Sequence, residues 1–141
     1  MLNLDLLNTE IARFDIPIEA GRVALFRKAI GETPAEIENS INKPVPPTLI
    51  GLGLDPAPFD FIELFDRDLA SLLHAQQSIR YHQPIYVGDV LSGSKRVSRI
   101  FDKKDGQLEF LVLEIDYYNQ NQELVGVSEQ TLVFVKKQEL S

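Results

Sequence analysis

Between Leu73 and Lys137 the side chains change character with a period of two, and only short turn sequences interrupt the pattern. Successive side chains of a strand point to opposite faces, so this alternation is the mark of extended chain. Strands are expected over Leu73–His82, Val90–Phe101, Gln107–Tyr118 and Glu123–Lys137. Leu73, Ala75, Ile79 and Tyr81 fall on one face of the first; His74, Gln76, Ser78, Arg80 and His82 fall on the other. Asp102–Gly106 has the chemistry of a hairpin turn, as does Asn119–Gln122. The last three strands therefore follow one another as an antiparallel meander.

The first half reads differently. Glu10–Pro17 alternates weakly and suits a short first strand. Glu19–Ile30 is expected to be helical, with Ala20, Val23, Ala24, Leu25, Phe26, Ala29 and Ile30 on one face and Arg22, Arg27 and Lys28 opposite. Gly31 can cap its C-terminal end. Five of the eight prolines lie in Lys43–Asp60, an ordered crossing inside one domain, because too little chain flanks it to build two. Within it Pro46-Pro47-Thr48 opens a short helix, Leu49–Leu54, apolar on every side and therefore buried all round. Phe61–Leu73 is a further helical candidate through Phe61, Leu64, Phe65, Leu69 and Leu72. Strand, helices, then long strands make an α+β pattern: one sheet with helices segregated to one face.

Composition removes several function classes. The chain has no Cys, which excludes a disulfide framework, a thiolate metal site and a cysteine nucleophile. With two His, a His-rich metal site is not expected. The net charge is −7, and a surface of that sign repels phosphate backbones, so nucleic acid is a poor partner. No apolar run reaches the roughly 20 residues of a bilayer span. Met1–Glu10 lacks a basic n-region and a small-residue cleavage site, so the expected setting is cytoplasmic.

Four segments carry a family resemblance. Leu73–Asp89, reading LHAQQSIRYHQPIYVGD, resembles the strand–Pro–Gly–Asp stretch of MaoC-like dehydratases, and most of all their N-terminal domain type. Val45–Leu49 (VPPTL) is similar to the Pro-Pro-Thr start of that family's central helix. Phe26–Thr33 (FRKAIGET) is similar to the helix end before its active loop, and Glu123–Gly126 (ELVG) to a late turn and closing strand. The resemblance implies a single hot-dog domain over residues 1–141, an antiparallel sheet wrapped around a central helix. It implies hydration of an enoyl thioester or dehydration of a 3-hydroxyacyl thioester. The only carrier it implies is coenzyme A or an acyl carrier protein, with no other cofactor and no metal. It also implies pairing, as a homodimer or as a heterodimer with a second hot-dog chain.

Such chemistry needs a base, an acid and donors for the thioester oxygen. Catalytic members of the family carry an Asp and a His in an Asp-x-Asn-Pro-x-His type loop before the central helix. The matching loop here, Gly31–Pro44, holds no His, and Thr33 stands where Asn is expected before Pro34. The dyad is not carried over, which favours a non-catalytic acyl-binding subunit. Other readings are a chain with its own catalysis, an acyl-thioester-binding or assembly module without a catalytic partner, and a hot-dog thioesterase, which would want a carboxylate on or near the central helix where Leu49–Leu54 offers none.

His74 is the candidate catalytic residue, as base or orienting group, against the plainer reading of a surface or structural His. His82 lies about 26 Å further along an extended strand and is not expected to share its site. Pro47, Thr48 and Leu49 are substrate-binding candidates, since the first amides of a helix can face a thioester oxygen; the alternative is an ordinary helix start. Lys95 and Arg96, with Arg99, form a basic cluster suited to a coenzyme A phosphate or an acidic carrier protein, or are plain strand charges in solvent. Glu32, Glu36 and Glu38 read as a solvated face unless one is buried as a base, and Asp89 as a turn residue.

Overall fold

The computed structural model describes residues 2–50 and 61–136. Its centre is a five-stranded sheet in the order β1-β3-β4-β5-β2, every neighbouring pair antiparallel. The strands are β1 (Glu10–Pro17), β2 (Leu72–Tyr81), β3 (Val90–Lys103), β4 (Leu108–Tyr118) and β5 (Leu124–Val135). The helices α1 (Ala20–Ala29), α2 (Pro34–Asn39) and α3 (Phe61–Phe65) all lie between β1 and β2 in the chain. The expected first strand and final meander are present with nearly the expected bounds.

The register sorts the side chains into two faces, because directly opposed residues of an antiparallel pair share a face. Across the middle of the sheet Gly93, Tyr117, Gly126 and Tyr81 form one row of the inner face. Lys95, Ile115, Ser128 and Ile79 form the next row. Leu91, Leu111, Leu113, Ile115, Tyr117 and Phe134 are each at most 2% exposed on this face. The core falls into two clusters. One gathers Leu49, Ile50, Ile85 and Tyr117; the other gathers Leu2, Phe65, Val97, Leu111 and Phe134.

Two sequence expectations need correction, and a third falls mostly outside the described residues. Arg27 does not stand on the polar side of α1: it is 8% exposed, shares the buried side with Val23 one turn earlier, and Leu25 and Ile30 are exposed instead. Its guanidinium donates to both Glu32 carboxylate oxygens and to the Pro44 carbonyl, so a charged residue fastens the helix to the crossing segment. The helix expected over Phe61–Leu73 stops at Phe65, where Asp66 takes φ 51°, and a single 3₁₀ turn at Leu69–Ser71 leads into β2. The central helix of Leu49–Leu54 lies mostly outside the described residues. Its first two positions, Leu49 and Ile50, enter a wide helical turn of the π type.

Candidate functional site

The beginning of that turn sits on the sheet's inner face through three contacts. The Tyr117 hydroxyl, wholly buried, donates to the Ile50 carbonyl at 2.9 Å. The Tyr81 hydroxyl donates to the Pro47 carbonyl. Gly126 lies below Ile50: a Cβ there would stand 3.2 Å from the Arg80 carbonyl oxygen and 3.4 Å from the Ile50 Cδ1. A larger residue there would press on the Arg80 backbone and on the Ile50 side chain, so glycine eases the close approach of the turn. Burial pushes the Tyr81 phenol up to about 12, so it remains a protonated donor across the physiological range.

Between this turn and β2 opens a cavity of about 390 Å³ lined by Pro47, Thr48, Gln77, Ile79 and Tyr81. Two of the sequence candidates, Pro47 and Thr48, thus line one space. Leu49 does not join them as an oxyanion donor: it is fully buried and its amide already donates to the Pro46 carbonyl at 3.0 Å. Pro47 offers a carbonyl and no N–H. The walls are mainly apolar, and the Thr48 hydroxyl and Gln77 amide supply polar atoms.

His74 reaches this site by an irregularity that alternation alone does not reveal. The pairing of β2 with β5 shifts between His74 and Gln76, leaving Ala75 as the extra residue of a β-bulge. A bulge moves every residue on one side of it to the other face. His74 lies opposite Leu132, and Gln77 opposite Gln130, both on the inner face. The sequence expectation that grouped His74 with Gln76, Ser78, Arg80 and His82 is therefore corrected: His74 shares a face with Gln77, Ile79 and Tyr81. Its Nε2 lies 3.1 Å from the Gln77 Oε1, and the Gln77 Nε2 donates to the buried Ser128 hydroxyl at 3.0 Å. His82 is exposed at the far end of the strand.

The basic cluster is divided by the pleat. Lys95 is 2% exposed on the inner face, while Arg96 points outward and pairs with Glu114 at 2.7 Å. Arg99 lies 4.9 Å from the Phe101 ring centre on that outer face. Two of the three loop carboxylates have structural partners, and Glu38 is exposed. Glu36 completes a capping box with Thr33 at the start of α2, and Glu32 holds Arg27. Asp89 serves its turn, accepting from the Tyr86 amide and from the Gln120 side chain.

A second cavity, of about 430 Å³, lies toward the β3–β4 hairpin and includes Arg67, Asp68, Glu109 and Lys136. Arg67 meets Glu109 with two parallel hydrogen bonds of 3.0 and 2.9 Å. Among the described residues no group of three or more His, Cys, Asp or Glu is placed to hold a metal ion. No described helix is long and apolar enough to cross a bilayer.

Sequence reasoning missed Gln77, Ser128 and the role of Tyr81. Tyr81 was legible as an inner-face residue. Gln77 and Ser128 were not, because their partnership with His74 depends on the bulge.

Comparison with known proteins follows this geometry. The family model described as FAS1-like, dehydratase domain region, matches residues 6–127. No curated protein sequence matches. Among solved structures, a chain of the HadBC (3R-hydroxyacyl-ACP dehydratase) complex of Mycobacterium tuberculosis is similar with a TM-score of 0.71 at 18% identity, covering 93% of this chain and 99% of that one. A MaoC-like dehydratase from Phytophthora capsici has a TM-score of 0.73 at 17% identity, covering 96% of this chain and 50% of that one. A chain of the ChsH1-ChsH2 complex of Mycobacterium tuberculosis has a TM-score of 0.64 at 18% identity, covering 89% and 84%. These likenesses are to hot-dog folds, and two of the three belong to heteromeric complexes.

Proposed function

The chain belongs to the FAS1-like dehydratase-region family, among the MaoC-like hot-dog hydratases and dehydratases, and from that premise we propose that it is an acyl-binding subunit that handles an acyl thioester beside a second hot-dog chain. The observation that carries this reading is the pairing of a mainly apolar cavity at Pro47, Thr48, Gln77, Ile79 and Tyr81 with a Gly31–Pro44 segment that holds no His. The cavity suits an apolar acyl chain with a polar group near Thr48 and Gln77. In the segment that precedes it Glu36 is taken up by the α2 capping box and Glu32 by the Arg27 pair, and no His stands among its residues to complete the family's usual acid–base couple. The partner chain is proposed to bring the Asp and His. The thioester is carried on coenzyme A or a carrier protein, and hydration or dehydration is the reaction of the assembled pair.

The test is a titration of the purified chain with crotonyl-CoA and longer enoyl-CoAs, with hydration followed on the same sample. Binding without turnover, strengthening with chain length, is the expected result. A folded chain that binds none of these thioesters removes the reading. Turnover by the chain alone, lost in His74→Ala, makes it a catalyst in its own right and replaces the supporting role.

A further inference from the structure

The bulge at Ala75 creates an arrangement that ordinary strand geometry forbids. Residues three apart on a regular strand point to opposite faces. Here His74 and Gln77 share one, and a chain of hydrogen bonds runs from the exposed imidazole through the cavity wall to a hydroxyl that is 1% exposed. Ser128 is fixed by β5, whose register with both β2 and β4 is continuous at this position. It is the buried end of the chain, and His74 is the exposed end.

We infer that Gln77, locked by Ser128, is a positioning residue that sets which ring nitrogen of His74 carries the proton. A glutamine amide has an accepting end and a donating end. With its NH₂ group committed to the buried Ser128 oxygen, its carbonyl faces His74. The Nε2 of His74 is then the donor, and Nδ1 is left as the lone acceptor of the neutral ring. Nδ1 is the atom that can receive a proton or a hydrogen bond from a ligand at the cavity's rim. The bearing of this lock on acyl thioesters rests on the function proposed above; the lock itself does not.

The chain has two His, so long-range ¹H–¹⁵N correlation at a pH where both rings are neutral gives one pattern for His74 and one for His82 as the internal reference. The wild-type chain is expected to show His74 protonated at Nε2. Ser128→Ala frees the amide to turn its N–H groups toward His74, so the Nδ1–H form gains population although Ser128 does not touch the ring; His82 stays unchanged. Adding Gln77→Glu to Ser128→Ala restores the Nε2–H pattern, because a carboxylate only accepts. A wild-type His74 protonated at Nδ1, or one that ignores Ser128→Ala, overturns the inference. A chain that shows the lock yet binds no enoyl-CoA leaves the inference standing and removes only the acyl-binding role.

Discussion

Tyr81 joins the two sides of the candidate site. Its ring packs against the cluster around Tyr117 and Ile50, lines the cavity, and its hydroxyl ties β2 to the Pro47 carbonyl. Burial raises its pKa to about 12, so ionisation plays no part near neutrality and the hydrogen bond is what the hydroxyl contributes. Tyr81→Phe keeps the ring and removes that tie. A single hydrogen bond of this kind is worth about 1 kcal/mol, and the urea midpoint should fall by a matching amount with an unchanged slope. The larger effect belongs to the cavity, whose mouth loses its restraint on Pro47. Enoyl-CoA affinity, read by calorimetry, should weaken several-fold, and a variant that binds as the wild type does would show that the tie serves stability alone. Arg27 teaches the reverse lesson. Its charge suggested a solvent-facing position, yet three hydrogen bonds to Glu32 and Pro44 let it be buried.

At the scale of elements, the segment between α3 and β2 is held to the sheet by Arg67 and Glu109. Glu109 lies on the inner face of β4, with its side chain 3% exposed. Burial opposes its charge, but the hydrogen bonds and positive charge of Arg67, with a smaller contribution from Lys136, outweigh that and hold the carboxyl below the usual carboxylate range. A carboxylate whose folded pKa is depressed stabilises the fold fully above its unfolded value, about 4.3 for Glu, and ceases to do so as pH falls through the lower folded value. Urea midpoints should therefore stay level for this contribution from neutral pH down to the ordinary Glu range and decline below it. Glu109→Gln should start lower and lose less on acidification, so the two curves converge at low pH; parallel curves would show that the pair does not carry the dependence. The β2 bulge works at the same scale. One extra residue at Ala75 moves His74 to the face of Gln77, Ile79 and Tyr81 and brings it within one hydrogen bond of the cavity wall.

For the whole molecule, the sheet ends at β1 and β2, and each has one strand neighbour among the described residues. Unpaired edges invite pairing with another chain, and Leu25, Ile41 and Leu73 stay exposed at 69%, 60% and 57%. The chain is expected to occur in solution as a pair, alone or with a second hot-dog chain, and light scattering should give at least twice the chain mass; a monomer at micromolar concentration that ignores hot-dog partners would contradict this. Much of the architecture was legible beforehand. The alternation of Val90–Phe101, Gln107–Tyr118 and Glu123–Lys137 and the turn residues between them determined the meander, because strand period and turn chemistry are local properties. The absence of His from Gly31–Pro44 was equally plain. Tertiary structure decided the rest. Which face His74 occupies depends on a one-residue shift between β2 and β5, and such a shift is a relation between strands that no single strand records. Whether Arg27 and Lys95 are exposed depends on what packs over them. The site at Pro47, Thr48, Gln77, Ile79 and Tyr81 joins residues 34 positions apart, from Pro47 to Tyr81, which only the folded sheet brings into contact.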